Sequence, residues 1–296
     1  MKKIQNNVNA FIISTGRTGT KFLTSCIRST FNKITLRHEP GREILKLRFL
    51  FGTSKITKKE AIHYFLEKKY DYYAKLSTKY YIESNPYLIL LIPIIRELFP
   101  KSKIIFITRD GRDWLRSAFS RGLYGSFLFR TKLPIINILR MIPDELYKIK
   151  NILKLKNINS YYRDLWRIRA PDFKEDPFRN NWRIMDQFER LAWKWQKLND
   201  LGLKSIENDK NSIVVKFEEI FNTNDFSGFF KILDFLKLNY DKEDLSMNIP
   251  MLFSEKINKT NDYLISHWKN WNREKIIRFN KIAGGQMKKC EYNLEY

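Results

Sequence analysis

Apolar residues are concentrated in short runs along the chain, and polar or small residues follow each run. The clearest runs occupy residues 11–13, 103–108 and 212–217. Such runs, without apolar/polar alternation, are typical of strands buried on both faces of a parallel sheet. A further short strand is predicted over residues 34–37.

Between these strands, apolar positions recur every three or four residues, which predicts amphipathic helices. The predicted helices cover residues 21–29, 87–99, 113–121, 182–203, 226–238 and 271–289. Pro86 suits a first helical turn and Pro93 predicts a bend in the second helix. The tryptophans of residues 182–203 are interpreted as core packing. Alternation of strands and helices predicts an α/β fold with a central, mainly parallel sheet.

Residues 123–180 break this alternation. The stretch is basic, rich in aromatic residues and only weakly periodic, and four prolines divide it into short pieces: Pro134, Pro143, Pro171 and Pro177. We interpret it as a helical insertion in one domain that spans residues 1–296.

Composition, net charge and the positions of the cysteines exclude several classes of protein for this chain. The chain has 296 residues, 43% of them hydrophobic, which excludes collagen-like and disordered proteins. Its net charge of +23 predicts anionic partners. Cys26 and Cys290 are too far apart to indicate a disulfide framework or a cysteine-rich zinc site. With no long apolar segment near Met1, we expect neither signal peptide nor membrane anchor, and a cytoplasmic protein, with peripheral contact at the inner membrane face as a further possibility.

The loop that follows the first strand has the composition of an anion site. It reads STGRTGTKF from Ser14 to Phe22 and leads directly into a helix. Backbone amides at a helix N-terminus bind anions, and glycines allow the backbone to approach them closely. Hydroxyl groups and two cations, Arg17 and Lys21, add donors at the same place. The loop therefore predicts a phosphate or sulfate site.

One alternative is a nucleotide-dependent kinase with a variant P-loop. A kinase P-loop places Ser or Thr directly after Gly-Lys, and this hydroxyl binds magnesium. Here Lys21 follows Thr20, and Phe22 stands in the place of the hydroxyl. Arg109 follows the strand at residues 103–108, near where a metal-binding carboxylate is expected. The kinase interpretation therefore fails at its metal ligands.

Two motifs together resemble the sulfotransferases that use 3′-phosphoadenosine 5′-phosphosulfate (PAPS). TGRTGTKF is similar to the first motif of that family, with Arg17 in the place of its basic residue. ITRDGRDWLRSAFSRG is similar to the second, in which Arg109 and Ser117 match the pair that binds the 3′-phosphate. The resemblance implies a P-loop NTPase-like three-layer α/β/α sandwich and metal-free sulfuryl transfer.

The resemblance also implies a role for each matched residue. Arg17 would stabilise charge on the bridging oxygen, and Lys259 belongs to a late loop that covers the nucleotide. The 5′-phosphate would be held by the first motif, at Thr18, Gly19, Thr20, Lys21 and Phe22. Two positions depart from the family: Ser84 stands where several relatives have Lys, and Phe217 where many have Tyr.

A general base is expected after the strand at residues 34–37, where His38 and Glu39 follow. Glu39 resembles the base of the tyrosylprotein and heparan-type enzymes and is our first choice, with His38 second. The alternatives are a hydrogen-bonded loop histidine and a Glu39 salt bridge to Arg37 or Arg42.

The acceptor is expected to be the hydroxyl, or the amine, of a saccharide or glycolipid. Aromatic and basic residues of the insertion are consistent with contact to a membrane or lipid-linked glycan, and equally with a helical hairpin packed on the core. A basic nucleic-acid-binding protein is the other alternative, but no nucleic-acid motif is present, and we expect no specific nucleic acid partner. The oligomeric state is not indicated.

Overall fold

A five-stranded parallel sheet forms the centre of the molecule. The computed structural model describes residues 8–41, 44–76, 78, 80–125, 165–221, 225–254 and 262–294. The strands are β1 (Ala10–Ser14), β2 (Thr35–His38), β3 (Tyr81–Ser84), β4 (Lys103–Thr108) and β5 (Ser212–Lys216). Their order is β2-β3-β1-β4-β5, and every neighbouring pair is parallel. The predicted α/β fold with a parallel sheet is confirmed.

Helices connect the strands and cover both faces of the sheet. They are α1 (Thr20–Thr30), α2 (Ile44–Gly52), α3 (Lys58–Ala74), α4 (Ile92–Leu98), α5 (Gly111–Ser120), α6 (Gln187–Lys204), α7 (Phe217–Phe221), α8 (Ser227–Leu236), α9 (Lys242–Ser254) and α10 (Arg273–Lys289). Short 3-10 helices occupy Pro86–Leu91, Ala170–Asp172, Asn181–Arg183 and Trp268–Asn270. Within the described residues, none of these helices is both long and apolar enough to cross a membrane.

Side chains alternate between the two faces of the sheet, as the strand geometry requires. Phe11 and Ile13 belong to one apolar cluster, which continues into α2 to α6 and α10. Ala10 and Ile12 belong to a second cluster, which continues into α1, α8 and α9. The sheet therefore lies between two layers of helices. Its central strands β3, β1 and β4 are buried, whereas the edge strands β2 and β5 are partly exposed.

Two predicted helices differ from the structure in an informative way. The helix predicted over residues 182–203 begins only at Gln187, because Asp186 and Glu189 form a capping box and Asn181–Arg183 is a separate 3-10 turn. Pro93 causes no mid-helix bend, since it lies in the first turn of α4, where a missing N–H costs little. Strand β3 and helices α2, α3, α7 and α9 were not predicted.

The described ends of the predicted insertion pack against the rest of the protein. The Tyr124 hydroxyl donates to the carbonyl of Ile168 at 2.5 Å, and Leu165 and Trp166 are buried in the first cluster. Residues 126–164 lie outside the described residues, so the insertion as a whole and the single-domain organisation stay predictions.

Candidate active site

The loop between β1 and α1 adopts a left-handed backbone that opens an anion site. Gly16, Arg17 and Gly19 have φ values of 76°, 57° and 67°. Gly19 is the N-cap residue of α1, and no side chain caps this end of the helix. The amides of the first turn therefore remain available for an anion, which the helix dipole also favours.

Gly19 is required at its position for two reasons. Its positive φ is rarely adopted by other residues. A Cβ atom there would lie 2.5 Å from Cε2 of Phe221 and 3.0 Å from Cε2 of Phe217. The loop and the aromatic side chains after β5 are thus in direct contact.

Two buried polar atoms beside the loop lack hydrogen-bond partners within the described part of the chain. They are Oγ1 of Thr18 and Nε of Arg109. Buried donors and acceptors are normally paired, because an unpaired one loses its interaction with water without compensation. Both atoms fit a site that is completed by a polar ligand.

Arg17 joins the two sequence motifs. Its Nε donates to Oγ of Ser117 at 3.0 Å, and its carbonyl accepts from Nη1 of Arg109 at 2.8 Å. Ser117 is 2% exposed and lies on α5, whereas Arg109 follows β4 directly. The structure therefore brings together Arg17, Ser117 and Arg109, which the sequence assigned to one nucleotide site.

Arg109 is not held by the neighbouring acids. Asp110 pairs instead with Arg112, at 2.6 Å, and accepts from the Arg112 amide as the N-cap of α5. The guanidinium of Arg109 lies 4.2 Å above the ring of Phe217. The backbone carbonyl of Arg109 accepts a hydrogen bond from Nε1 of buried Trp195. Arg112 thus has a structural role in the first turn of α5, and the described residues place no carboxylate in an ion pair with Arg109.

Like charges surround Arg17. Burial lowers the pKa of its guanidinium, and the nearby charges of Arg121 and Arg109 lower it further. Arg121 is the C-cap residue of α5, four residues after Ser117. Cations that repel each other without a ligand are stabilised by an anion among them. Sequence reasoning missed Arg121, although the four-residue spacing was available as a signal.

Aromatic rings line the side of the loop that faces β5. The Phe22 ring centre lies 5.5 Å from that of Phe221 and 5.2 Å from that of Phe253. The ring centres of Phe217 and Phe221 are 4.8 Å apart. Lys21, the next predicted site residue, is exposed at the start of α1. The contributions of Phe221 and Phe253 were not predicted, because their places depend on how α7 and α9 pack.

The candidate bases lie at the carboxyl end of β2. His38 pairs in register with Ser84 of β3, and its Nδ1 is 3.1 Å from Oγ of that serine. The imidazole Nε2 lies 3.6 Å from Oε1 of Glu39. Burial lowers the pKa of His38, Glu39 raises it and Lys21 lowers it. Glu39 is itself in the left-handed region, with φ 49°.

The sheet order explains why these groups meet. β1 lies between β3 and β4, so the phosphate loop, Ser84 and Arg109 follow neighbouring parallel strands at one edge. Ligands of parallel α/β sheets bind at this edge, outside the carboxyl ends of the strands. Lys259 and Arg42 lie outside the described residues, and their roles stay predictions.

Comparison with solved structures identifies the architecture. The structure of mouse sulfotransferase SULT7A1 complexed with PAP matches with a TM-score of 0.50 and 15% identity, over 97% of this chain and 86% of that one. The chain has the sulfotransferase fold. The predicted resemblance is therefore confirmed for the fold.

Two other sulfotransferase structures are more distant. The sulfotransferase domain from the curacin biosynthetic pathway matches at TM-score 0.48 and 11% identity, over 99% of this chain and all of that one. A sulfotransferase from Alicyclobacillus acidocaldarius matches with a TM-score of 0.39 and 13% identity, over 95% of this chain and 96% of that one. A scan against protein-family models gave no match, and neither did a search of curated proteins by sequence.

No metal-binding cluster is found in the part of the chain that the structure describes. No three or more His, Cys, Asp or Glu side chains are grouped there in a way that would hold an ion. Glu218, on α7, is a partly buried carboxylate near Arg109. It accepts from the Asp110 amide at 3.1 Å and from the Tyr292 hydroxyl at 2.8 Å. Glu218 therefore has a structural role, because it joins the start of α5 to the residues that follow α10.

Proposed function

We propose that the protein transfers a sulfuryl group from PAPS to a hydroxyl or amine of an acceptor. The observation that carries the proposal is the convergence of Arg17, Arg109 and Ser117 at the uncapped end of α1. Two phosphate groups and a sulfonate fit such a site by charge and by the donors it offers.

Each residue has a role in this reaction. The amides from Thr18 to Phe22 and the Thr18 hydroxyl hold the 5′-phosphate, together with Thr20 and Lys21. Arg109 and Ser117 hold the 3′-phosphate, and the ring of Phe22 packs against the adenine. Arg17 leaves Ser117 to stabilise the negative charge that grows on the bridging oxygen.

The reaction is an in-line displacement, by analogy with phosphoryl transfer. The acceptor oxygen attacks sulfur as the bond between sulfur and the bridging oxygen breaks. The leaving group is 3′-phosphoadenosine 5′-phosphate (PAP). The acceptor proton passes to the His38 and Glu39 pair. The residues present supply these steps without a metal ion.

We favour a saccharide or glycolipid acceptor. The support is the net charge of +23 and the aromatic and basic side chains of residues 123–180, at the end of α5. Peripheral membrane contact through the same stretch, and a cytoplasmic location, belong to this proposal. Specific nucleic acid binding is not part of it, since the basic residues are spread along the whole chain.

A kinase function has weaker support. Phe22, in the place of the magnesium-binding hydroxyl, packs among phenylalanines. Arg109 occupies the end of β4, where a kinase of this class places a carboxylate.

Calorimetric titration with PAP, in buffer without magnesium, tests the proposal directly. We expect binding by the wild type and a loss of at least tenfold in affinity for Arg109→Ala, because a charged hydrogen bond contributes about 1.5–3 kcal/mol. Arg28→Ala, an exposed arginine at the other end of α1, is the matched control. Absence of PAP binding, with binding of ATP and magnesium instead, would contradict the proposal and support the kinase.

A further inference from the structure

A buried arginine lies on α2, the helix that follows the candidate bases. Arg48 is only 8% exposed, and its Nε atom has no hydrogen-bond partner within the described part of the chain. Its contact to the backbone is long, since Nη2 is 3.5 Å from the carbonyl of Trp166. The guanidinium also lies over an aromatic ring, with Cζ 5.5 Å from the ring centre of Tyr87. Arg48 is thus a buried cation with an unused hydrogen-bond donor.

The charge of Arg48 is costly to bury in the ligand-free protein. A buried charge is normally paired with an opposite one, because its removal from water is otherwise not compensated. The pKa of Arg48 is lowered to about 10, chiefly by burial, and the charge of Arg167 contributes. The groups that raise this pKa are the hydroxyls of Tyr87 and Tyr124, and no carboxylate of the described residues is among them. A cation in such surroundings fits an anion that arrives with a ligand.

Further cations surround the ring of Tyr124, beside this arginine. Cζ of Arg167 is 5.2 Å from the ring centre, and Nζ of Lys194 is 5.6 Å from it. Lys194 is itself only 8% exposed. Asp172, the acid whose charge raises the pKa of the Tyr124 hydroxyl, pairs with Arg169 at 2.7 Å. The described groups around this ring therefore carry more positive than negative charge.

Two series of contacts join this region to the phosphate loop. Tyr87 directly follows Pro86, and a Cβ atom at Gly16 of the loop would lie 3.9 Å from Cβ of Pro86. Nε1 of Trp114 donates to the carbonyl of Gly16 at 2.6 Å, and Nζ of Lys194 lies 5.8 Å from the ring centre of Trp114. The basic region around Tyr87 and Lys194 is therefore a neighbour of the loop.

The basic region lies on the opposite face of the sheet from the aromatic rings beside the loop. Trp114 and Tyr124 are buried in the first apolar cluster, and Tyr87 packs against it. Phe22, which we assign to the adenine, packs against the second cluster. Because the two clusters lie on opposite faces of the sheet, Arg48 is placed to bind a group of the acceptor and not the adenosine.

We propose that Arg48 binds an anionic oxygen group of the acceptor, a carboxylate or a phosphate, and so selects acidic acceptors. This inference rests on the proposed function and deepens it. A guanidinium offers parallel N–H donors that match either group, and the unused Nε is one of them. The net charge of +23 favours the approach of an acidic acceptor. A saccharide acceptor would then be a sugar acid or a sugar phosphate.

NMR of the Arg48 Nε–H group tests anion binding without any need for activity. A buried Nε–H exchanges slowly with water, and loss of its signal in Arg48→Met assigns it. The protein is first saturated with PAP, so that the phosphate loop is filled. We expect acetate or methyl phosphate to shift the signal saturably, and acetamide, the neutral analogue of acetate, to leave it unchanged. The stronger anion identifies the group as carboxylate or phosphate. A signal that responds to neither anion, or equally to acetamide, would overturn the proposal.

Stability separates a binding residue from a structural one. Arg48→Met removes a buried charge without breaking an ion pair, so the urea midpoint of the ligand-free protein should not fall. Arg28→Met, at an exposed arginine of α1, changes the net charge equally and is the matched control. The stronger anion of the NMR experiment should raise the midpoint of the wild type and of Arg28→Met, but not of Arg48→Met. A lower midpoint in Arg48→Met, with an unchanged response to the anion, would make Arg48 a structural cation and contradict the proposal.

Kinetics then test the choice of acceptor. With labelled PAPS, we expect glucuronate or glucose 6-phosphate to have a KM at least tenfold below that of glucose, the effect of one hydrogen bond to a charged group. Arg48→Met should remove this difference and leave PAP affinity unchanged. Arg48→Lys should retain part of it, since a point charge remains without the planar fork. Equal KM values for the acidic and neutral sugars in the wild type would show that Arg48 does not select the acceptor.

The two proposals fail differently. If the protein does not bind PAP, the proposed function is wrong, but the Arg48 signal still reports on anions in the ligand-free protein. If PAP binds and the Arg48 signal responds to neither anion, the sulfuryl transfer proposal stands and the anion site of the acceptor falls.

Discussion

Nε of Arg17 lies 3.0 Å from Oγ of Ser117, although one hundred residues separate them along the chain. Arg17 belongs to the loop after β1, and Ser117 to the middle of α5. Oγ of Ser117 is the acceptor in this hydrogen bond, so the hydroxyl hydrogen remains able to donate to the 3′-phosphate that we assign to this residue. Ser117 is therefore placed to contact Arg17 and the 3′-phosphate together.

Because the Ser117 hydroxyl is assigned to the 3′-phosphate alone, Ser117→Ala should affect only nucleotides that carry this phosphate. We expect the variant to bind PAP about tenfold more weakly, because the hydroxyl no longer donates to the 3′-phosphate. Adenosine 5′-monophosphate lacks that phosphate, and its affinity should not fall. Calorimetry with both nucleotides provides the measurement, and Ser29→Ala, an exposed serine at the end of α1, is the control. Equal weakening for both nucleotides would contradict the assignment of Ser117.

The role of Arg17 itself is expected to appear in turnover. Arg17→Ala removes the donor that we propose turns from Ser117 to the bridging oxygen, and the loss of a donor to such a developing charge typically lowers kcat by about 100-fold to 1000-fold. PAP affinity should change much less, since the charge on the bridging oxygen grows during the reaction. Transfer from labelled PAPS, measured beside PAP binding, gives this ratio. A variant that loses PAP binding but retains kcat would place Arg17 in binding alone.

Gly19 offers a test of the loop geometry through stability. Gly19→Ala should lower the free energy of unfolding by about 1–2 kcal/mol through its positive φ alone. Displacement of Phe221 by the new Cβ adds to this cost. Gly285→Ala is the matched control. A Cβ atom at this position inside α10 would meet no described atom within 4 Å beyond the helix's own backbone, so the variant should raise the free energy of unfolding by about 0.5–1 kcal/mol. Denaturant unfolding curves compare the two variants, and equal stability would show that the loop backbone tolerates a side chain.

Phe22 is expected to bind the adenine through its ring. Stacking of a base on an aromatic side chain contributes about 1–3 kcal/mol, so Phe22→Ala should weaken PAP binding at least fivefold. Phe22→Tyr keeps the ring and should keep the affinity, whereas Phe22→Leu keeps bulk only and should not. If the leucine variant binds PAP as well as the wild type, stacking on this residue is excluded.

The sheet was predictable because buried parallel strands carry an unmistakable pattern. β1, β4 and β5 are apolar runs, whereas β3 (Tyr81–Ser84) contains Glu83 and Ser84 and does not stand out. Glu83 is nevertheless fully buried, since Tyr73 and Asn85 donate to its carboxylate. Side-chain hydrogen bonds of this kind leave no trace in the pattern of apolar residues, so β3 does not stand out in the sequence.

The proximity of Arg17, Arg109 and Ser117 was likewise predictable, and so was the place of His38 and Glu39 at the end of β2, whereas the contact between His38 and Ser84 was not. Arg17 and Arg109 lie in motifs whose composition points to an anion. The contact of Ser84 with His38 depends on the register of β2 against β3, which the sequence does not encode in any short pattern. Arg121 and Phe253 reach the site from the ends of helices, so their positions follow from packing.

The partly buried carboxylate of Glu218 predicts a pH dependence of stability. Burial raises its pKa above the ordinary value, with hydrogen bonds from Asp110 and Tyr292 acting in the opposite direction. In the pH window between the ordinary and the raised value, the folded protein holds more protons than the unfolded chain. Stability from this group is therefore present at low pH and is lost as the pH rises through that window.

Glu218→Gln removes the titration, so the stability of the variant relative to wild type should increase with pH from about 4.5 upwards and then level off. Urea midpoints between pH 4 and pH 8 measure this difference, and Glu207→Gln, an exposed carboxylate, should follow the wild type throughout. A constant difference between Glu218→Gln and wild type at all pH values would mean that the group titrates equally in both states, and that the hydrogen bonds from Asp110 and Tyr292 fully compensate its burial.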